Sequence, residues 1–229
     1  VFHVTSLLCE VPSGMAADLL GRRRTLAVSG LLGAASGLCM AYSGGFGGVC
    51  LSMALSALSF NFISGTQDAI LYDSLVAVGR EQEYLSVNAT STQLQNLGAA
   101  LSNLASFLSG VLDFAGYYLL SSALALTRTV AALGMAEPVV TQAQAGRQRH
   151  PFHALPARLA AHVRACGRFL ASSPTAARLI LADSLLSLPG YLTLMYLQQR
   201  LTELGLPQIW LGVPALAVTG CRIIGTGVG

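Results

Sequence analysis

Long apolar stretches, separated by short charged or glycine-rich breaks, run along the whole chain. The longest of them, residues 25–67, contains neither a charge nor a proline. A helix needs about 20 apolar residues to cross the hydrocarbon core of a bilayer, so this stretch is long enough for two crossings. The glycine-rich segment at residues 43–48 divides it, because glycine weakens a helix and adopts turn conformations readily. The stretch therefore predicts two membrane-spanning helices joined by a tight turn.

The same criterion predicts five further spans elsewhere in the chain. They are residues 1–17, 84–112, 117–135, 175–197 and 207–229. The predicted fold class is therefore all-α, a polytopic transmembrane helical bundle with seven spans. Only 10% of the 229 residues are charged, whereas soluble domains carry about a quarter. This composition agrees with a chain embedded in lipid and excludes a nucleic-acid-binding module.

The 13 basic side chains other than histidine are all arginines, and their placement predicts the orientation of the bundle. Ten lie in alternate connections: Arg22, Arg23, Arg24, Arg80, Arg147, Arg149, Arg158, Arg164, Arg168 and Arg178. The opposite connections carry Arg200 alone. Because arginines near span ends stay in the cytoplasm, we expect residue 1 to start outside and the arginine-rich connections to lie inside. Arg128 and Arg222 fall within predicted spans, where they either extend toward the inner headgroups or belong to a polar pathway.

The longest connection, residues 138–174, contains a basic amphipathic segment. Its apolar residues recur at helical spacing, at Leu155, Leu159, Val163, Cys166 and Leu170. Its arginines lie on other faces of the same helix. A helix of this kind binds to an anionic lipid surface, so we expect it to lie on the inner leaflet.

Metal, cofactor and enzyme motifs are not indicated by the sequence. His150 and His153 could form a metal-binding pair, but Pro151 disfavours the helix that would align them, and a loop is the preferred interpretation. The five cysteines show no C-x-x-C spacing and are interpreted as small apolar residues. Because the chain also lacks H-E-x-x-H and G-x-S-x-G motifs, we expect no enzymatic activity, no metal and no cofactor.

A loop motif follows the first predicted span, GMAADLLGRRRTL at residues 14–26. Gly14 and Gly21 permit a tight reversal between helices, Asp18 can cap a helix or accept a cation, and the arginines suit the headgroup region. The segment resembles the loop signature G-x-L-a-D-r-x-G-r-r/k-x-x-L of the major facilitator superfamily (MFS). Ala16 and Leu19 depart from that pattern.

Two further segments, EVPSGMAAD at residues 10–18 and SGTQDAILYDSL at residues 64–75, resemble motifs of a bacterial branch of the same superfamily. The resemblance implies a protein of twelve spans, of which this chain is a fragment lacking the first and the last four helices. Residues 1–137 then correspond to family helices two to six, residues 138–174 to the cytoplasmic linker, and residues 175–229 to helices seven and eight.

The resemblance also implies a function, namely secondary active transport of a small solute by alternating access across a bacterial inner membrane. Ionisable groups inside spans are costly, so they are candidates for proton coupling or the solute path. The ionisable candidates are Glu10, Asp68, Arg128 and Asp183. Asn61, Tyr72, Asn96 and Asn103 are added because they belong to polar stripes at steps of three and four along spans three and four, and such stripes normally face a bundle interior or an aqueous cavity. The candidate cytoplasmic gate comprises Gly14, Asp18, Gly21, Arg22, Arg23 and Asp73, because acids at the inner end of span three can pair with loop arginines.

Three alternatives accompany these expectations. The MFS fold could serve a non-transporting membrane scaffold or sensor instead of a transporter. The span-four amides could be interhelical contacts instead of a pathway, and small residues such as Ser29, Gly33, Gly37 and Gly98 could be a close-packing face. The expected partners are a small solute, protons and anionic lipid, with no nucleic acid. A monomer is the expected state, which the sequence does not fix.

Overall fold

The computed structural model describes residues 1–137, 155–207 and 210–227, which contain helices and no β-strand. The α-helices are α1 (Phe2–Leu20), α2 (Arg22–Ala41), α3 (Phe46–Ala77), α4 (Tyr84–Asn103), α5 (Phe114–Gly134), α6 (Leu155–Ser172), α7 (Pro174–Glu203) and α8 (Gly212–Gly227). Short 3₁₀ helices occupy Glu81–Glu83 and Leu104–Gly110. The predicted all-α class is confirmed for these parts of the chain.

Three of the described helices, α2, α3 and α7, are long and apolar enough to cross a bilayer. The break between α2 and α3 falls at residues 42–45, within the glycine-rich turn that divides the longest apolar stretch. Helix α6 covers the predicted amphipathic segment. The structure thus supports a helical protein suited to a membrane, while the seven-span MFS arrangement remains a prediction.

The prediction that residues 84–112 form one continuous helical span is wrong. The α-helix ends at Asn103 and the chain continues as the 3₁₀ helix Leu104–Gly110. Serine and glycine are abundant at residues 102–110, and both residue types stabilise α-helices poorly. The tighter 3₁₀ turns therefore replace the last part of the expected span.

The described contacts divide the chain into two units. The first comprises residues 1–88 and 112–159, and the second comprises residues 89–111 and 160–229. The predicted boundaries of the two halves and the linker stay predictions. In the second unit the 3₁₀ segment after α4 contacts α8. The ring centroid of Phe107 in this segment lies 6.0 Å from that of Trp210, which precedes α8 by two residues.

In the first unit α2 lies between α3 and α5, and α1 packs on α3. The interface between α2 and α3 is built from serines at seven-residue intervals. Ser36 and Ser52 donate to each other's carbonyl oxygens at 2.8 and 2.9 Å, and Ser59 donates to the carbonyl of Ser29 at 2.8 Å. All four serines are buried. Residue numbers increase along α2 as they decrease along α3 in these pairs, so the two helices are antiparallel.

An adjacent face of α2 packs on α5 with the same seven-residue period. Gly30 faces Thr129 and Gly37 faces Ser122, and in each case a Cβ on the glycine would lie 2.8 Å from a carbonyl oxygen of α5. Small residues that allow backbones to approach closely are typical of helix interfaces in lipid, where the hydrophobic effect does not drive helix association. A seven-residue period favours left-handed crossing of the helices.

Candidate functional site

A cluster of polar contacts joins α2, α3 and α5 at the end where α2 begins. We call it the α2 N-terminal cluster, and it consists of Gly21, Arg22, Arg23, Asp73 and Glu137. Nε of Arg22 lies 3.1 Å from Oδ2 of Asp73, near the end of α3. The two side chains are only 20% and 11% exposed. This ion pair therefore bridges two helices in a largely desolvated setting.

Glu137, three residues beyond the end of α5, is the cluster member that the sequence did not indicate. Its Oε1 accepts from the backbone N–H of Arg22 at 2.6 Å, and its Oε2 accepts from the N–H of Arg23 at 2.9 Å. The first N–H groups of a helix lack partners within the helix, and a carboxylate there also interacts favourably with the helix dipole. Glu137 therefore caps α2 from 115 residues away in sequence.

Arg23 adds a side-chain hydrogen bond between α2 and α5, because its guanidinium donates to the carbonyl oxygen of Leu133 in the last turn of α5. A small buried apolar group begins one turn further along α2. It consists of Leu26, Ala27, Ile70 and Ala132. Polar contacts and apolar packing thus fix the relative positions of α2, α3 and α5 at this end.

Gly21 is required by the local geometry. Its φ of 90° lies in the left-handed region, where the chain passes from α1 into α2. A Cβ at this position would lie 2.9 Å from Oε1 of Glu137. The chain reversal between α1 and α2 and the close approach of the Glu137 carboxylate both depend on the lack of a side chain at Gly21.

The remaining motif residues lie on α1. Gly14 faces Gly65 of α3, where a Cβ on Gly65 would lie 3.9 Å from the Gly14 Cα. The backbone of Asp18 belongs to α1, but its side chain lies outside the part of the structure that is described. The two parts of the loop motif therefore have different contacts. Gly14 lies at a close contact between α1 and α3, and residues 21–23 belong to the α2 N-terminal cluster.

Asn61 and Tyr72, two polar residues of α3, have specific partners in the first unit. Asn61 is buried, accepts from the hydroxyl of Ser6 at 2.7 Å and donates to the Ser6 carbonyl at 2.8 Å. Tyr72 packs edge-on against Tyr84 with ring centroids 5.4 Å apart. Asn61 therefore joins α1 to α3, in the manner of an interhelical contact.

The three candidate coupling acids occupy exposed positions. Glu10, Asp68 and Asp183 are all exposed, and none of their carboxylates forms an ion pair with another described residue. In the second unit Asn96 is half-buried, and Asn103 donates to the hydroxyl of Thr219 at 3.2 Å.

Arg128 of α5 reaches α2 and α3. Its Nη2 donates to the Ser29 carbonyl at 3.0 Å and to the Ser59 hydroxyl at 3.1 Å, while its Nε is buried without a partner. The exposed loop residue Arg80 differs, because it pairs with Glu83 at 2.5 Å. That hydrogen bond lowers the pKa of the Glu83 carboxyl and raises the pKa of Arg80.

No group of three His, Cys, Asp or Glu side chains suited to a metal ion occurs among the described residues. Comparison of the chain with protein-family models, curated proteins and solved structures finds no match. Inference about function therefore depends on the geometry of the α2 N-terminal cluster and on the sequence motifs.

Proposed function

We propose that this chain is part of an MFS-type secondary active transporter that moves a small solute across a bacterial inner membrane by alternating access. The observation that carries the proposal is the α2 N-terminal cluster, in which Asp73 and Glu137 bind the first residues of α2. The cluster lies at the arginine-rich end of the helices, which the distribution of charge assigns to the cytoplasm.

Alternating access needs groups of helices that move as rigid bodies and contacts that break without a large cost. The serine and glycine interfaces hold α2 between α3 and α5 along its length. The ion pair and the Glu137 cap hold the same helices at the inner end. These contacts keep the helices of this half together as one rigid group while the other half moves against it.

Proton coupling is assigned to an acid within the membrane, for which Glu10 and Asp68 are the candidates in the first unit. A charged carboxylate inside a span is costly, so an acid there is a candidate for binding a proton. Exposure at the surface of this unit leaves both carboxylates accessible to a solute, a proton or the other half of the protein. The linker at residues 138–174 is assigned to the cytoplasmic side, with anionic lipid as its partner.

The test uses the protein encoded with its flanking sequence, reconstituted in liposomes that contain the pH-sensitive dye pyranine. Sugars, amino acids, carboxylates and cationic drugs are added in turn under an imposed pH gradient. At least one solute should cause protein-dependent proton movement. Absence of movement with every solute, together with absence of solute accumulation, would overturn transport and favour the scaffold or sensor alternative.

Substitution of the candidate acids separates coupling from transport. Asp68→Asn should abolish the proton signal, while the matched control Glu83→Gln removes an exposed loop acid and should retain it. If Asp68→Asn transports protons like the wild type, coupling does not use Asp68, and Glu10→Gln becomes the next test. Transport itself would stand in that case.

A further inference from the structure

Arg128 places a positive charge against two neighbouring helices. The Nη2 atom donates to the main-chain carbonyl of Ser29 and to the hydroxyl of Ser59. Ser59 in turn donates to the same Ser29 carbonyl at 2.8 Å. The guanidinium is therefore held in one position by α2 and α3, although it belongs to α5.

The space for this guanidinium is created by a glycine. A Cβ on Gly33 would lie 2.8 Å from Nη2 of Arg128 and 3.1 Å from the hydroxyl oxygen of Ser59. Even an alanine at position 33 would displace the arginine or the serine. Helix α2 is thus shaped to admit the Arg128 side chain at this level.

The charge of Arg128 is not balanced within the described residues. Its two hydrogen-bond acceptors are neutral, its Nε has no partner, and no described carboxylate lies within 4.0 Å of it. Arg128 is half-buried, and a charge that loses part of its hydration is normally paired in proteins, because an unpaired one does not recover that hydration. An unpaired buried donor of this kind calls for a partner.

We propose that Arg128 binds the carboxylate or phosphate group of an anionic ligand. Ser29 and Ser59 occupy the two N–H groups of Nη2, whereas Nη1 has no partner among the described residues and is not buried, so its N–H groups are open to an oxygen of such a group. A neutral sugar or a cationic drug would leave the charge unbalanced. That the ligand is the transported solute depends on the proposed function, whereas oxyanion binding itself does not.

Two sources could supply this group, namely a small soluble anion or the phosphate of an anionic lipid. The full-length protein is purified in a neutral detergent, and its Tm is measured against succinate, inorganic phosphate or phosphatidylglycerol. Sodium chloride at matched ionic strength and glucose serve as reference additions. We expect a saturable rise in Tm with succinate or phosphate if the anion is soluble, or with phosphatidylglycerol alone if it is a lipid.

Two substitutions of Arg128 and one control substitution decide whether Arg128 causes the rise in Tm. Arg128→Gln should abolish the saturable rise, and the control Arg80→Gln, which removes an exposed arginine, should retain it. Arg128→Lys keeps the charge without the planar fork and covers the case in which the glutamine variant fails to fold. Its apparent Kd should be raised about tenfold, since one charge-assisted hydrogen bond corresponds to about that factor.

Several results would overturn the site. They are a wild type whose Tm responds to no oxyanion beyond the chloride reference, an unchanged response in Arg128→Gln, and an unchanged Kd in Arg128→Lys. Oxyanion binding without solute flux would support the site and overturn transport. Proton-coupled flux of a neutral solute without oxyanion binding would overturn the site and leave transport standing.

Discussion

Arg22 at the start of α2 and Asp73 near the end of α3 form a largely buried ion pair, with Nε and Oδ2 3.1 Å apart. The same arginine receives the Glu137 carboxylate on its backbone N–H. Arg22 thus connects α2 to α3 through its side chain and to the segment after α5 through its main chain. The contributions of Asp73 and of Glu137 to the free energy of unfolding can therefore be measured separately.

The first prediction concerns the ion pair. Asp73→Asn should lower the free energy of unfolding by about 1–3 kcal/mol, because a mostly buried cation then loses its charged partner. The measurement is urea or SDS unfolding in detergent, followed by circular dichroism. A double-mutant cycle with Arg22→Gln should give a coupling energy well above error. The same cycle on the exposed pair Arg80 and Glu83 is the control and should give a clearly smaller coupling energy.

The second prediction concerns the cap of α2. Glu137→Ala should destabilise the protein by about 0.5–2 kcal/mol, the usual effect of losing a helix N-cap. Hydrogen exchange at the amides of Arg22 and Arg23 should accelerate, since these N–H groups lose their acceptor. Exchange in the middle of α3 should not change. Unaltered protection of both amides would show that Glu137 does not cap the helix in solution.

Much of the local structure could be predicted from the sequence, because charge and glycine placement decide where apolar helices end. The break at residues 42–45 and helix α6 follow from such local signals. The 3₁₀ segment at Leu104–Gly110 was not predicted, since an absence of charge does not distinguish an α-helix from a weaker helical turn.

The site was predictable only in part. Arg22 and Asp73 belong to recognisable motifs, but Glu137 is an isolated acid whose partner is 115 residues away, and no local pattern marks such a pairing. The sequence does carry one long-range signal. Ser52, Ser59, Thr66 and Asp73 recur every seven residues on α3, opposite Arg22, Ser29 and Ser36 on α2. That period predicts the α2–α3 interface, whereas the polar stripe at steps of three and four on the same helix contains the exposed Asp68.

The third prediction concerns close packing between α2 and α5. Gly30→Ala should lower stability by about 1–3 kcal/mol, as overpacking of a tight interface does. The added methyl group would lie 2.8 Å from the Ala125 carbonyl oxygen and would collide with the Thr129 hydroxyl. The matched control is Gly98→Ala on α4, where no heavy atom lies within 4 Å. The control should be neutral or slightly stabilising, because alanine favours a helix over glycine.

Thermal unfolding in detergent measures both variants. The double variant Gly30→Ala with Thr129→Ala should recover part of the loss, since it removes the colliding hydroxyl but leaves the Ala125 carbonyl in place. Equal stability of Gly30→Ala and Gly98→Ala would contradict the close approach of α2 and α5.

The fourth prediction concerns α6, whose exposed side chains include Val163, Phe169 and Leu170 on one side and Arg164 and Arg168 elsewhere. Helix α6 contains no acidic residue, so its charge complements an anionic leaflet. A spin label on Cys166, with the other cysteines replaced, should lie among the acyl chains in vesicles containing phosphatidylglycerol. A label at Ala171, on another face of the helix, should remain in water.

Accessibility to oxygen and to a water-soluble nickel chelate measures the depth of each label. Because part of the attraction is electrostatic, the depth at Cys166 should decrease in vesicles of zwitterionic lipid and in the variant Arg164→Gln with Arg168→Gln. If both labels were equally accessible to the nickel chelate in anionic vesicles, α6 would not lie on the membrane. The apolar face would then be available for contact with protein.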